Sequence, residues 1–384
     1  RYTIWCRGVT TRAPAVGTFK TPPLAEERKP VRFAWVGDVG GQNACRDRDR
    51  GYLPFQGVWS ALPDFLIALG DMIYADDPCL ARGRYGNDQI AGPTAPAHSL
   101  EEFRALWRYA RADPFSQRAF AATSTYAIWD DHEITNDAGP KHDSVPWKPW
   151  QHLMPAAREA FLDYNPIATG DRLYRNVRWG KHLEVFILDT RSYRDANGAR
   201  DDDDKTMLGA EQKAWLLEAL EASNATWKVI VSSVPISIPT GSPEIGRDGW
   251  ANFDGNLGFE NELTEILRAI QRLTKRQVVW ITTDVHFGAA IRYVPFADDS
   301  DFVFHEIITG PLNSGIFPIH DLDPTFNPQR LYMHAPARAE DVVTYADALR
   351  WYNFGTIEID EAGSLVARIV EASGKPAFEL PLRP

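Results

Sequence analysis

Five times along this chain an apolar, β-prone run stops and an acidic turn follows at once. Val31-Arg-Phe-Ala-Trp-Val36 runs into Gly37-Asp38, and Asp64-Phe-Leu-Ile-Ala-Leu69 runs into Gly70-Asp71. Ser124-Thr-Tyr-Ala-Ile-Trp129 precedes Asp130-Asp131-His132-Glu133, and Leu183-Glu-Val-Phe-Ile-Leu188 precedes Asp189-Thr190-Arg191. Val278-Val-Trp-Ile-Thr282 delivers Thr283-Asp284-Val285-His286. Runs this apolar are strands buried on both faces, and helical stretches between them argue for parallel neighbours in a covered sheet. In such sheets ligands bind beyond the carboxyl ends of the strands. Every acidic turn stands at such an end.

The turn after Trp129 is the most crowded. Three carboxylates, a histidine and, at Asn136, an amide share a few residues. Desolvating like charges together is costly unless a cation is present. A surface turn with a helix cap is the alternative for that stretch alone. Recurrence at four further strand ends favours convergence on metal. Asp38, Asp71, Tyr74, Asp131, His132, Asp284 and His286 all follow strands. Carboxylates, a phenol and an imidazole are the donors that a di- or trinuclear site offers to hard and borderline cations.

Helices are expected at 100–111, with Ser99 and Glu102 as a capping box, and at 154–164, 209–222 and 258–271. Further strands are expected at 1–6, 16–19, 173–179, 227–232, 301–308, 352–359, 364–371 and 377–382. Loops at 83–98, 138–150 and 235–256 supply pocket walls, and Trp147-Lys-Pro-Trp150 is a candidate wall or lipid grip. Asp201-Asp-Asp-Asp-Lys205 reads as a solvated run in a polar loop, with calcium binding as the minor reading. Asp76 and Asp77 read as turn residues or as outer calcium ligands. His98, His142, His152, His182, His305, His320 and His334 carry no motif and read as surface or core residues.

A net charge of -11 argues against a stable nucleic-acid complex, since phosphate backbones need a basic face. It leaves a phosphate substrate open, because bound cations invert the local field. No apolar run approaches the ~20 residues of a membrane helix. The 3 cysteines are too few for a disulfide scaffold. Cys45 and Cys79 each lie just beyond a strand-then-Asp segment, near enough to pair; three free thiols is the other reading. With no leader in this chain, a mature secreted or periplasmic form is expected.

The motifs together are specific. Gly37-Asp38, Gly70-Asp71-x-x-Tyr74, Asp131-His132-Glu133 and Asp284-x-His286 resemble the metal motifs of calcineurin-like metallophosphoesterases. Gly-Asp-x-Ile-Tyr-Ala-Asp (70–76), Trp-Asp-Asp-His-Glu with a following Asn (129–136), Leu-Asp-Thr-Arg (188–191), Met-Leu-Gly-x-x-Gln-x-x-Trp-Leu (207–216) and Asp-Val-His (284–286) are more closely similar to the PhoD-like alkaline phosphatase/phosphodiesterase family, which includes a phospholipase D type without the HKD motif. The resemblance implies an α/β fold, a four-layer α/β/β/α metallophosphoesterase sandwich over 31–384, with 1–30 the remnant of a truncated N-terminal β module and linker. It implies a ferric ion on Asp38, Asp71, Tyr74 and His286, with Asp71 bridging to a second ion on Asp71, Asp131, Asp284 and Asn136. Related purple acid phosphatases carry Asn and His where Asp131 and Asp284 stand. Carboxylates in their place favour Ca2+ over Zn2+. Some family members carry Cys where Asp38 stands, which leaves Mn2+ open beside Fe3+; Mg2+ is a further alternative.

The implied activity is metal-dependent phosphoester hydrolysis by a metal-bound hydroxide. His132 is the proposed acid toward the leaving alkoxide, and Arg191 is a candidate phosphate ligand or else a structural partner of an acid. The expected substrates are small-molecule or phospholipid phosphoesters, with transient membrane-surface contact. The rivals are a phospholipase-D-like phosphodiesterase of narrow lipid specificity and a catalytically inactive metal-binding protein.

Overall fold

The computed structural model describes residues 2–4, 15–141, 150–168, 170, 172–274 and 276–384. Two large mixed sheets dominate it. The first has six strands in the order Pro376–Leu382, Leu365–Glu371, Asn353–Ile359, Val31–Val36, Phe65–Leu69, Ser124–Ile128. The last three of these run parallel. The second has seven, in the order Pro328–His334, Gly288–Tyr293, Phe304–Ile308, Val278–Thr282, Trp227–Val231, Leu183–Ile187, Arg175–Trp179. Its four middle strands from Phe304–Ile308 to Leu183–Ile187 are parallel.

Strand alternation sorts the second sheet into two faces. Leu183, Val185, Ile187, Val229, Val231, Val279 and Ile281 join the core shared with the first sheet. Phe186, Ile230, Val278 and Trp280 join a separate core with Leu216, Leu220, Leu263 and Ile266 of helices Gly209–Ala222 and Glu260–Gln271. Phe65 and Trp179, from different sheets, bring their rings to 4.6 Å. Helices Leu100–Arg111 and Trp150–Tyr164 pack together by Trp107 and Phe161. The layers are therefore those of the expected sandwich.

Several expectations change. Both sheets are mixed: Asn353–Ile359 runs antiparallel to Val31–Val36 in the first, and Gly288–Tyr293 and Pro328–His334, which were not anticipated, add antiparallel strands to the second. Tyr2–Ile4 pairs with Ala15–Gly17 in a small sheet of its own, and the rest of the expected strand at 1–6 lies outside the described residues. Ser99 caps its helix, while Glu102 turns back to the His98 N–H and the Ser99 hydroxyl. Trp150 starts a helix and lies in the core against Trp129; residues 147–149 and His142 lie outside the described residues.

The acidic run is not a solvated strip. Asp201 is buried and takes the backbone N–H of Glu260 at the start of helix Glu260–Gln271. Lys205 is also buried, and its Nζ donates to the carbonyls of Asn197, Ala199 and Leu257. Only the middle aspartates face water. Cys45 and Cys79 form a disulfide that ties the loop after Val36 to the loop after Leu69.

Candidate metal centre

The carboxyl ends of strands from both sheets meet at one place. Thr283, just past the second-sheet strand Val278–Thr282, donates its hydroxyl to Asp38 Oδ2 at 2.7 Å. Asp38 itself follows Val31–Val36 of the first sheet. One hydrogen bond thus stitches the sheets at the site.

Four of the expected ligands hold left-handed backbone: Asp38 (φ 56°), Asp71 (φ 51°), Asp284 (φ 80°) and His286 (φ 57°). Non-glycine residues adopt this conformation at a cost of roughly 1–3 kcal/mol each, and such strain gathers at functional sites. Two glycines make the room. A Cβ on Gly310 (φ 121°) would stand 2.0 Å from Asp38 Oδ2, and one on Gly41 would stand 2.4 Å from the Tyr74 ring.

The ligating atoms cluster. Oxygens of Asp38 and Asp71 and a nitrogen of His286 lie within 4.8 Å of one another, as do those of Asp71, Asp131 and His132, and those of Asp130, Asp131 and Asp284. Asp71 belongs to the first two groups and Asp131 to the last two. Tyr74 Oη reaches His286 Nε2 at 2.8 Å. Asn136 lines the same cavity.

Their orientation is set from behind. His286 Nδ1 faces the Gly315 carbonyl at 2.6 Å, so it must carry the proton and Nε2 keeps its lone pair. Burial pushes this histidine down to about 3, which keeps it neutral. Glu133 accepts the backbone N–H groups of Asp71, Met72 and Asp130, and so locks the two acidic turns together. Burial, Asp71 and Asp38 hold the Tyr74 phenol well above its usual range. A cation is what would ionise it.

Three carboxylate oxygens test whether a cation fits: Asp38 Oδ1, Asp71 Oδ2 and Asp284 Oδ2. Each is buried and has no hydrogen-bond partner among the described residues. Buried polar atoms are satisfied in the great majority of cases. Orphan carboxyl oxygens beside a lone-pair imidazole nitrogen and a phenol are a cation's donor set.

His132 sits over this cluster. Its Nδ1 meets Asp76 Oδ1 at 2.7 Å, and Asp76 also takes the Asn136 N–H. Burial would raise Asp76, yet His132 holds it low, so it is ionised and accepts. Burial likewise opposes charge on His132, but Asp76, Asp131 and Asp71 raise it well above its ordinary value. Asp76 is therefore the partner that orients His132. Asp77 takes the Gln42 N–H.

Arg191, read as a phosphate ligand or else a structural partner of an acid, lies beneath the site. Its guanidinium is fully buried, bonded to Asp130 at 2.5 Å and to Asp248 at 2.6 Å, and it does not line the cavity. The alternative, pairing with an acid, is what the structure holds. Asp189, just past the end of the strand Leu183–Ile187, takes the Trp129 indole N–H and the Ser192 hydroxyl.

A cavity of about 230 Å³ opens onto the cluster. Asp71, Asp131, His132, Asn136, Asp284 and His286 line it. Ile238, Pro239, Val285 and Phe317 give it an apolar side, and Phe317 stacks on His286 at 4.5 Å. The expected wall at 235–256 is present in part, while 83–98 contributes no lining residue. Gln42, Asp137, Phe317 and His320 were not anticipated. They reach the site through tertiary packing of loops, for which a single sequence carries no local signal.

Two facing mixed sheets with acidic clusters at their strand ends define a metallophosphoesterase-type fold. Comparison with known proteins agrees: the PhoD-like phosphatase family model matches residues 33–367, and the chain belongs to that family. It is 26% identical over 330 residues to an alkaline phosphatase D of Bacillus subtilis (strain 168), covering 78% of this chain. It spans about half the length of that relative, 54%. A solved structure of PhoD superposes with TM-score 0.70 at 20% identity, over 95% of this chain and 71% of that one. Purple acid phosphatase PPD1 from yellow lupin (Lupinus luteus) seeds superposes with TM-score 0.57 at 9% identity, over 94% and 55%.

Proposed function

We propose that this chain is a metal-dependent phosphoester hydrolase acting on diesters and monoesters of small or lipid-derived alcohols. The observation that carries the reading is the set of buried carboxylate oxygens without partners, gathered about Asp71. Asp38, Asp71, Tyr74 and His286 would hold Fe3+, the hard ion that suits a phenolate. Asp71, Asp131, Asp284 and Asn136 would hold Ca2+, with Mn2+, Zn2+ or Mg2+ as alternatives. Bound there, the cations supply Lewis acidity toward the phosphoryl group and toward water.

The chain's own residues do the rest. Asp76 fixes the His132 ring and leaves Nε2 to give its proton to the departing alkoxide. Glu133 holds the two acidic turns in register, so the charge at the phosphoryl group meets a preformed site. Arg191 keeps Asp130 and Asp248 in place from below.

The apolar side of the cavity supports an alcohol with aliphatic character, and favours as second reading a phosphodiesterase narrow for lipid headgroups. Strong preference for aggregated phospholipid over a short soluble diester would decide for it. Among the described residues no helix is long and apolar enough to cross a membrane; the reading takes membrane contact to be transient. The Cys45–Cys79 disulfide supports a secreted or periplasmic setting.

The test is His132→Ala. It should keep its metals and lose about 10²–10⁴ in rate. An unchanged rate at full metal content speaks for another acid, and no turnover in either protein speaks for a metal-binding protein without catalysis.

A further inference from the structure

Gln42 stands at the cavity with one end of its amide used and the other end idle. Its backbone is left-handed, φ 50°, and its N–H is tied to Asp77 Oδ2 at 2.7 Å. Its Oε1 accepts from the Ser314 hydroxyl at 2.8 Å and from the Gly315 N–H at 3.2 Å. Gly315 N–H can only donate, so the oxygen's place is set and the NH2 must face away. Among the described residues Nε2 has no hydrogen-bond partner. The same Gly315 accepts from His286 Nδ1 through its carbonyl, so one residue positions both Gln42 and a candidate metal ligand.

The composition of the cavity gives this idle donor a purpose. Among the described residues its lining includes Asp71, Asp131, Asp137, Asp248 and Asp284, and no Lys or Arg. A phosphoryl oxygen that cations leave uncovered needs donors to offset these carboxylates; beside His132, Asn136, Thr240 and His320, Gln42 adds a neutral amide whose NH2 is unused. An amide can donate without competing with cations for the carboxylates, as an ammonium would.

We infer that Gln42 Nε2–H donates to a non-bridging phosphoryl oxygen and is a substrate-binding residue of this site. The inference rests on the hydrolase reading above. It deepens that reading by adding a residue outside every motif that marks the metal centre.

The experiment compares holoprotein carrying Gln42, Gln42→Ala and Gln42→Glu. It reads kcat/KM for a chromogenic phosphodiester, the Ki of inorganic phosphate, and metal content. Loss of one neutral donor should lower kcat/KM and raise the phosphate Ki roughly 3–15-fold in Gln42→Ala. Gln42→Glu keeps an acceptor for Ser314 and Gly315, but it sets a negative charge against the phosphoryl group. It should fall further than Ala, on the order of 10²-fold, with metals retained. A purely structural role predicts the reverse order, Glu near wild type and Ala impaired, and that result overturns the inference.

If Gln42→Glu does not fold, Ser314→Ala decides. It loosens the amide oxygen and leaves the donor, so its phosphate Ki should rise less than that of Gln42→Ala; an equal or larger rise overturns the inference. A metal-loaded wild type that hydrolyses no phosphoester and does not bind phosphate overturns the hydrolase reading itself, and is distinct from an active wild type with the reversed variant order.

Discussion

Tyr74 Oη and His286 Nε2 stand 2.8 Å apart, although 212 residues separate them. Neither is held by the other alone. Gly41 admits the phenol, and the Gly315 carbonyl fixes the imidazole. In the cation-free protein the phenol keeps its proton and donates it to His286. If a ferric ion takes that place, the phenol must ionise, and tyrosinate-to-iron charge transfer colours the protein. Iron-loaded wild type should show a visible band that Tyr74→Phe lacks and His132→Ala retains. A colourless iron-loaded wild type, or a band that survives in Tyr74→Phe, contradicts the ligand set.

Asp71 is shared by two clusters, so its loss should empty both. Elemental analysis of Asp71→Ala should find neither metal. Asp131→Ala should lose the second and keep the first. Full metal content in Asp71→Ala contradicts a bridging carboxylate.

Arg191 is predicted to matter for stability. Removing it leaves Asp130 buried without its cation, while Asp248 keeps only Arg194. Breaking such a pair from one side costs about 3–5 kcal/mol. Arg191→Met should show that loss in denaturant unfolding. A loss below about 1 kcal/mol, with phosphate affinity reduced instead, would return Arg191 to the substrate.

The pH dependence of stability should differ between metal-free and loaded protein. Without cations, burial pushes Asp38 up to about 7 and Glu133 up to about 8, and burial with Asp248 pushes Asp137 up to about 7. Each binds its proton more tightly folded than unfolded, so its contribution is lost as pH rises through the folded value. His132, held high by Asp76 against burial, acts in the same direction. His286, pushed down to about 3 from 6.5, acts oppositely, but its contribution is complete above pH 6.5. Between pH 6.5 and 8 the metal-free protein should therefore melt at progressively lower temperature. Cations compensate the carboxylates, so the loaded protein should lose much less. Parallel slopes in calorimetry of the two forms contradict the account.

What the sequence disclosed was local. Asp38, Asp71 and Asp284 each stand just past an apolar run, so strand and candidate ligand are read from one stretch. The partners that set those ligands were hidden because they arrive from far away. Thr283 on Asp38, Asp76 on His132 and Gln42 on Gly315 depend on loop packing. The run 201–205 misled because charge composition reads as solvation, whereas Asp201 caps a helix and Lys205 ties three carbonyls. Strand Gly288–Tyr293 escaped because it starts directly after His286 with Gly and Ala, which carry weak β preference. The pairing of Cys45 with Cys79 stood open because spacing alone does not fix connectivity.

The most direct measurement is of initial rates on a chromogenic phosphomonoester and the matching phosphodiester, side by side, before chelation, after chelation and after return of the cations. The account predicts turnover that stops on chelation and recovers with metal, and the faster ester names the preferred class. No turnover of either ester in protein shown to hold metal, or turnover that persists in metal-free protein, would contradict it.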